Sequence, residues 1–148
     1  MCQYTIRSIN NKFIANAAPA VGVACEVGLP KVRLIVCREY GPPETLRLEE
    51  RPSPVAREGE VLVEVRAAGL NFTDLLATQG RSQLKVKSPG VEVAGVITST
   101  GPGVTRVVSG MRVLSTGFYG GYAEEIAFTE TEVMLLPDDM DFETGATF

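Results

Sequence analysis

The most informative polar groups of this 148-residue chain lie in one segment. Ala67-Ala68-Gly69-Leu70-Asn71-Phe72-Thr73-Asp74 ends an apolar run with an amide, a hydroxyl and a carboxylate. The Asn71 amide carries both donors and an acceptor, so it can orient a carbonyl oxygen. Asp74, three residues on, suits the positive end of a helix dipole, and a plain N-terminal cap is the competing account of Asn71. Glu92 lies in an apolar stretch, and Tyr122 follows a pair of glycines. The chain has no histidine, which removes every imidazole-based triad and proton relay. Cys2, Cys25 and Cys37 are odd in number, match no zinc-knuckle spacing and lack a base partner, so they read as free or buried thiols of a reducing compartment. Any catalysis must therefore draw on a cofactor.

The elements that must position these groups are mostly short strands. Val32 to Val36 is β-branched and apolar, Gly41-Pro42-Pro43 breaks it, and Leu46-Arg47-Leu48-Glu49 alternates with period two, so the two runs form a candidate hairpin. Glu60 to Arg66 is the clearest strand, with Val61, Val63 and Val65 on one face and Glu60, Leu62, Glu64 and Arg66 on the other. It delivers the chain into the Asn71 turn. Asn71 to Gln79 reads as a short helix ended by Gly80, with Phe72, Leu75 and Leu76 on its apolar face. Val91 to Ser99 is a second buried strand, in which Glu92 needs a partner and Arg112 is a candidate. Gly101-Pro102-Gly103 is a tight turn rather than a nucleotide loop, because no third glycine follows and β-like sequence flanks it. A last strand closes at Leu135-Leu136-Pro137, and Asp141, Phe142 and Glu143 open a helix.

The Asn71 segment, followed by Pro89-Gly90-Val91-Glu92-Val93-Ala94-Gly95, resembles the N-terminal domain of the zeta-crystallin-like quinone oxidoreductases, a zinc-free branch of the medium-chain dehydrogenase/reductase superfamily. Gly110-Met111-Arg112-Val113 and Gly120-Gly121-Tyr122-Ala123-Glu124 resemble two further family stretches, with Met111 in place of the usual acid. Zinc-dependent relatives carry a cysteine and a histidine where this chain has Asn71 and Val91, and neither of these suits zinc. The resemblance runs from about Val32 to Phe148 and stops where such an enzyme would enter its nucleotide-binding half. It implies a mainly β fold, a partly open GroES-like β-barrel with one or two short helices, without the Rossmann domain. It further implies zinc-independent hydride transfer from NADPH to a quinone or enone, with Asn71 in the catalytic role, Asn71, Phe72 and Tyr122 at the substrate cleft, and Asp74 and Glu92 as structural residues. The chain by itself is then expected to bind no NADPH and to be inactive, the alternative being a non-catalytic barrel that acts as a binding module or truncated isoform.

Composition agrees with one globular domain: 45% of residues are apolar and the formal net charge is −4. That charge, with no long basic run, speaks against nucleic acid or an anionic membrane surface as the main partner. No apolar run approaches a membrane span. Residues 1–30 differ from the remainder, with Arg7 and Lys12 but no acid before Glu26, as in a mitochondrial targeting segment or an irregular extension. The expected organisation is an N-terminal extension over 1–30 and the barrel domain over 31–148, in the cytoplasm or in mitochondria. A face of the barrel that relatives cover with their second domain is expected to promote self-association.

Overall fold

Strand-forming sequence dominates because Val and Ile alternate with polar residues between Gly and Pro punctuation, and the computed structural model bears this out. It describes residues 7–9, 12–14, 30–82, 87–116 and 120–147. Cys2, Cys25 and most of the 1–30 extension lie outside the described residues. Within the extension, β1 (Arg7–Ile9) and β2 (Lys12–Ile14) pair antiparallel as a two-stranded sheet of their own.

β3 (Lys31–Val36) and β4 (Arg47–Pro52) form the anticipated hairpin around a 3₁₀ turn at Pro43–Thr45, with Lys31 opposite Pro52 and Val36 opposite Arg47. β4 begins and ends later than the sequence pattern suggested, so that it also carries Glu50, Arg51 and Pro52. The remaining strands, β5 (Glu60–Ala68), β6 (Glu92–Thr100), β7 (Arg112–Thr116), β8 (Glu125–Thr129) and β9 (Met134–Leu135), build one antiparallel sheet in the order β8-β5-β6-β7-β9. The hairpin meets this sheet's connecting segment at the Leu34–Ala123 bridge, flanked by bonds from the Ile35 N–H to the Tyr122 carbonyl and from the Glu124 N–H to the Arg33 carbonyl. That narrow seam leaves the barrel partly open.

Leu62 departs from the expected two-faced pattern of β5: it is buried although its strand neighbours on that face are polar. β5 is paired on both edges, by β6 and β8, and register shifts at Leu62/Val63 and Val65/Ala67 break the simple alternation of faces there. The main core joins Val61, Val63, Val93, Ile97, Val113 and Phe128. A second cluster, Ala94, Leu114, Leu136 and Ala146, seats α2 (Phe142–Gly145) on the sheet. Asp141 caps α2, its carboxylate accepting from the Thr144 N–H at 2.7 Å.

Candidate functional site

β5 runs out at Ala68, and Gly69 makes the turn that presents Asn71. A side chain at 69 would stand 2.3 Å from the Ala146 carbonyl oxygen and 3.0 Å from Glu92 Oε2, so only glycine passes between α2 and β6. The Gly69 N–H donates to the Glu92 carbonyl at 3.0 Å and pins the turn to the start of β6. Asn71 then occupies the N-cap of α1 (Phe72–Thr78) in an extended conformation, half-buried, between the exposed Leu70 and Phe72.

Asp74 lies at the third position of α1, where the helix dipole favours a negative charge. It is 4% exposed. Its Oδ2 accepts the Asn71 N–H at 3.1 Å and the Tyr122 hydroxyl at 3.0 Å, while Oδ1 accepts the Gly90 N–H at 2.7 Å. One buried carboxylate thus joins three segments far apart in sequence, its charge spread over three donors. The Gly90 corner has φ +99, and a side chain there would meet the Tyr122 nitrogen at 2.4 Å. Backbone bonds from Gly121 to Gly90 and from Tyr122 to Pro89 close the same junction. Burial first, and then the neighbouring Asp74 carboxylate, push the pKa of the Tyr122 hydroxyl up, so it stays neutral as a donor. It also lies 3.2 Å from the Gly69 carbonyl.

Tyr122 lines an open cleft of about 320 Å³ together with Ile35, Leu48, Val65 and Glu124; Asn71 and Phe72 do not line it. Phe72 instead lies on the surface, 69% exposed. The expected Glu92–Arg112 pair is absent. In the β6–β7 register Glu92 faces Thr116, and Arg112 faces Val96. The Arg112 guanidinium donates instead to the carbonyls of Pro137, Asp138 and Met140 and stacks over the Phe142 ring at 4.6 Å. Among the described residues the Glu92 carboxylate, half-buried, has no cationic partner. Cys37 is buried, its thiol 3.3 Å from the Glu39 carbonyl. Among the described residues no three histidine, cysteine, aspartate or glutamate side chains group closely enough to hold a metal ion. Sequence reasoning placed Asp74 at a helix start and missed its bonds to Gly90 and Tyr122; the Pro89-Gly90 and Gly120-Gly121 pairs were the only available signal of a close junction there.

The residues that meet at Asp74 all fall within the span that a family comparison matches. The model of the alcohol dehydrogenase GroES-like domain matches residues 57–138, more than half of the chain. The chain belongs to this family. A quinone oxidoreductase of Lama guanicoe is 36% identical over 120 residues, covering 78% of this chain and 36% of its own length. The solved human synaptic vesicle membrane protein VAT-1 homolog-like protein superposes with a TM-score of 0.77 at 33% identity, over 80% of this chain and 40% of that one. Escherichia coli quinone oxidoreductase, solved in complex with NADPH, superposes with a TM-score of 0.70 at 28% identity, over 78% of this chain and 36% of that one. This GroES-like domain is accordingly of the medium-chain dehydrogenase/reductase type, and it spans about a third of the length of the curated relatives it matches.

Proposed function

We propose that this GroES-like domain is the substrate side of a zinc-independent, NADPH-dependent quinone or enone oxidoreductase in which the Asn71 amide orients the substrate oxygen. The observation that carries this reading is the setting of Asn71: a half-buried amide on a turn pinned by Asp74, between the exposed Leu70 and Phe72. A quinone offers a flat apolar body and a carbonyl acceptor, and this surface complements both. The side-chain N–H of Asn71 donates to the oxygen, stabilising the negative charge that gathers there, while Leu70 and Phe72 offer apolar surface to the ring. NADPH, when bound, supplies the hydride.

The residues in hand do not fit the dinucleotide's phosphates. No Gly-x-Gly-x-x-Gly loop leads from a strand into a helix within the 148 residues, and at the start of α1 the Asn71 N–H is already taken by the chain's own Asp74. On this reading the nucleotide needs a phosphate-binding loop that these 148 residues do not supply. Support for a quinone substrate comes from similarity to quinone oxidoreductases, one of them solved with NADPH. An assay of NADPH oxidation with a quinone acceptor tests the reading: the 148-residue chain should give no saturable turnover, and a chain extended through a complete nucleotide-binding half should. Turnover by the short chain, or none by the extended one, would overturn it.

A further inference from the structure

Asp74 does more than a helix cap requires, since a cap needs only an acceptor at the helix start and is satisfied by an exposed side chain. Here the carboxylate is buried, and its two oxygens divide their work unequally. Oδ1 takes the Gly90 N–H, whereas Oδ2 takes both the Asn71 N–H and the Tyr122 hydroxyl. The terminal torsion of an aspartate is broad and soft, so a bond at Oδ1 alone leaves Oδ2 free to swing away from Asn71. The Tyr122 hydroxyl closes that freedom. The Gly69 carbonyl, 3.2 Å away and two residues before Asn71, is the second acceptor within reach of the same single proton, so the hydroxyl sits against the turn while its shorter contact is to Oδ2.

We infer that Tyr122 is a positioning residue: its hydroxyl locks the Asp74 carboxylate, and the locked carboxylate holds the backbone from which the Asn71 amide is presented. Tyr122 contributes through geometry and touches no reacting atom. The inference rests on the proposed role of Asn71 only for its functional consequence; the lock itself is independent of it. The surrounding backbone is arranged for the same end. Gly90 at φ +99 and the bonds from Gly121 to Gly90 and from Tyr122 to Pro89 bring the hydroxyl to Oδ2 with little slack.

The test uses the 148-residue chain, with Tyr122→Phe keeping the ring and removing the hydroxyl. Amide hydrogen exchange at Asn71 should become at least tenfold faster, while Val63 and Ile97 in the core exchange as before; unchanged exchange at Asn71 would overturn the lock. Asp74→Asn, which turns one acceptor arm into a donor facing other donors, should raise exchange at Asn71 or at Gly90, whichever N–H meets the new amide group, and unchanged exchange at both would contradict the lock. If that variant fails to fold, Tyr122→Phe decides alone. A second readout is the NMR shift of the Asn71 side-chain amide on adding menadione, a two-ring quinone. In the native chain the shift should move on titration, and in Tyr122→Phe the response should fall by at least half. An equal response in both would overturn the positioning role and leave the quinone reading standing. No response in the native chain would count against the quinone reading, with the exchange result still deciding the lock.

Discussion

Burying a carboxylate without a cation costs several kcal/mol unless its lone pairs are filled, and Asp74 fills them with two backbone N–H groups and one hydroxyl. Replacing it with alanine would strip a partner from the Asn71 and Gly90 N–H groups at once. Each orphaned donor costs about 1–3 kcal/mol, so Asp74→Ala should lose roughly 2–5 kcal/mol of stability in urea unfolding, far more than an exposed cap would. A loss below about 1 kcal/mol would mean that water replaces the carboxylate freely. The donor set gives a second expectation at this scale. With no histidine, and with Asn71 and Val91 where zinc-dependent relatives place a cysteine and a histidine, purified protein should carry far less than one zinc per chain. A stoichiometric, chelator-resistant ion would contradict it. Sequence alone singled out Asn71, Asp74 and Tyr122, because polar groups beside glycines in apolar context are conspicuous. That all three meet was not legible: residues 71, 90 and 122 approach one another only once β5, β6 and the segment before β8 are in register.

At the level of elements, the β3–β4 hairpin is fastened to the 122–124 segment by a charged clasp. The Glu124 carboxylate accepts from Arg33 Nε at 2.7 Å and from the Arg33 backbone N–H at 2.8 Å. The Arg33 side-chain bond first, then the backbone bond, holds Glu124 below the ordinary glutamate value of 4.5. A depressed folded pKa gives stability that is complete above the unfolded value and is lost as the pH falls through the folded one. Acid should therefore loosen the hairpin below about pH 4.5, and Glu124→Gln should flatten that part of the pH–stability curve. Because both side chains reach solvent, high salt should weaken the effect. Identical acid limbs for native protein and variant would rule out this clasp. The hairpin, both helices and the long strands were readable from periodicity and capping residues. The Arg112 contacts were not, since carbonyl acceptors at 137–140 carry no side-chain signature, and a charged residue on a strand invited an ion-pair reading that the register forbids.

Across the whole molecule, apolar side chains that the barrel does not use remain on the surface. Leu48, Leu70, Phe72, Met134 and Leu135 are each more than half exposed. Leu70 and Phe72 flank Asn71, so the proposed substrate side is also the face on which self-association is expected. The 148-residue chain should self-associate or enhance the fluorescence of a hydrophobic dye, and Leu70→Ser should reduce the response; a monodisperse, dye-silent chain would remove this expectation. The barrel class followed from many short strands punctuated by Gly and Pro, whereas the seam at Leu34–Ala123 depends on tertiary pairing that no local pattern encodes. Whether this domain presents Asn71 to a substrate oxygen is decided most directly by quinone-dependent NADPH oxidation in a chain extended through a complete nucleotide-binding half. Removing one donor of this kind costs about 10²–10³ in turnover, so Asn71→Ala should slow kcat by roughly that factor while leaving the fold intact. An unchanged kcat and an unchanged KM in that variant would reduce Asn71 to a helix cap and contradict the account.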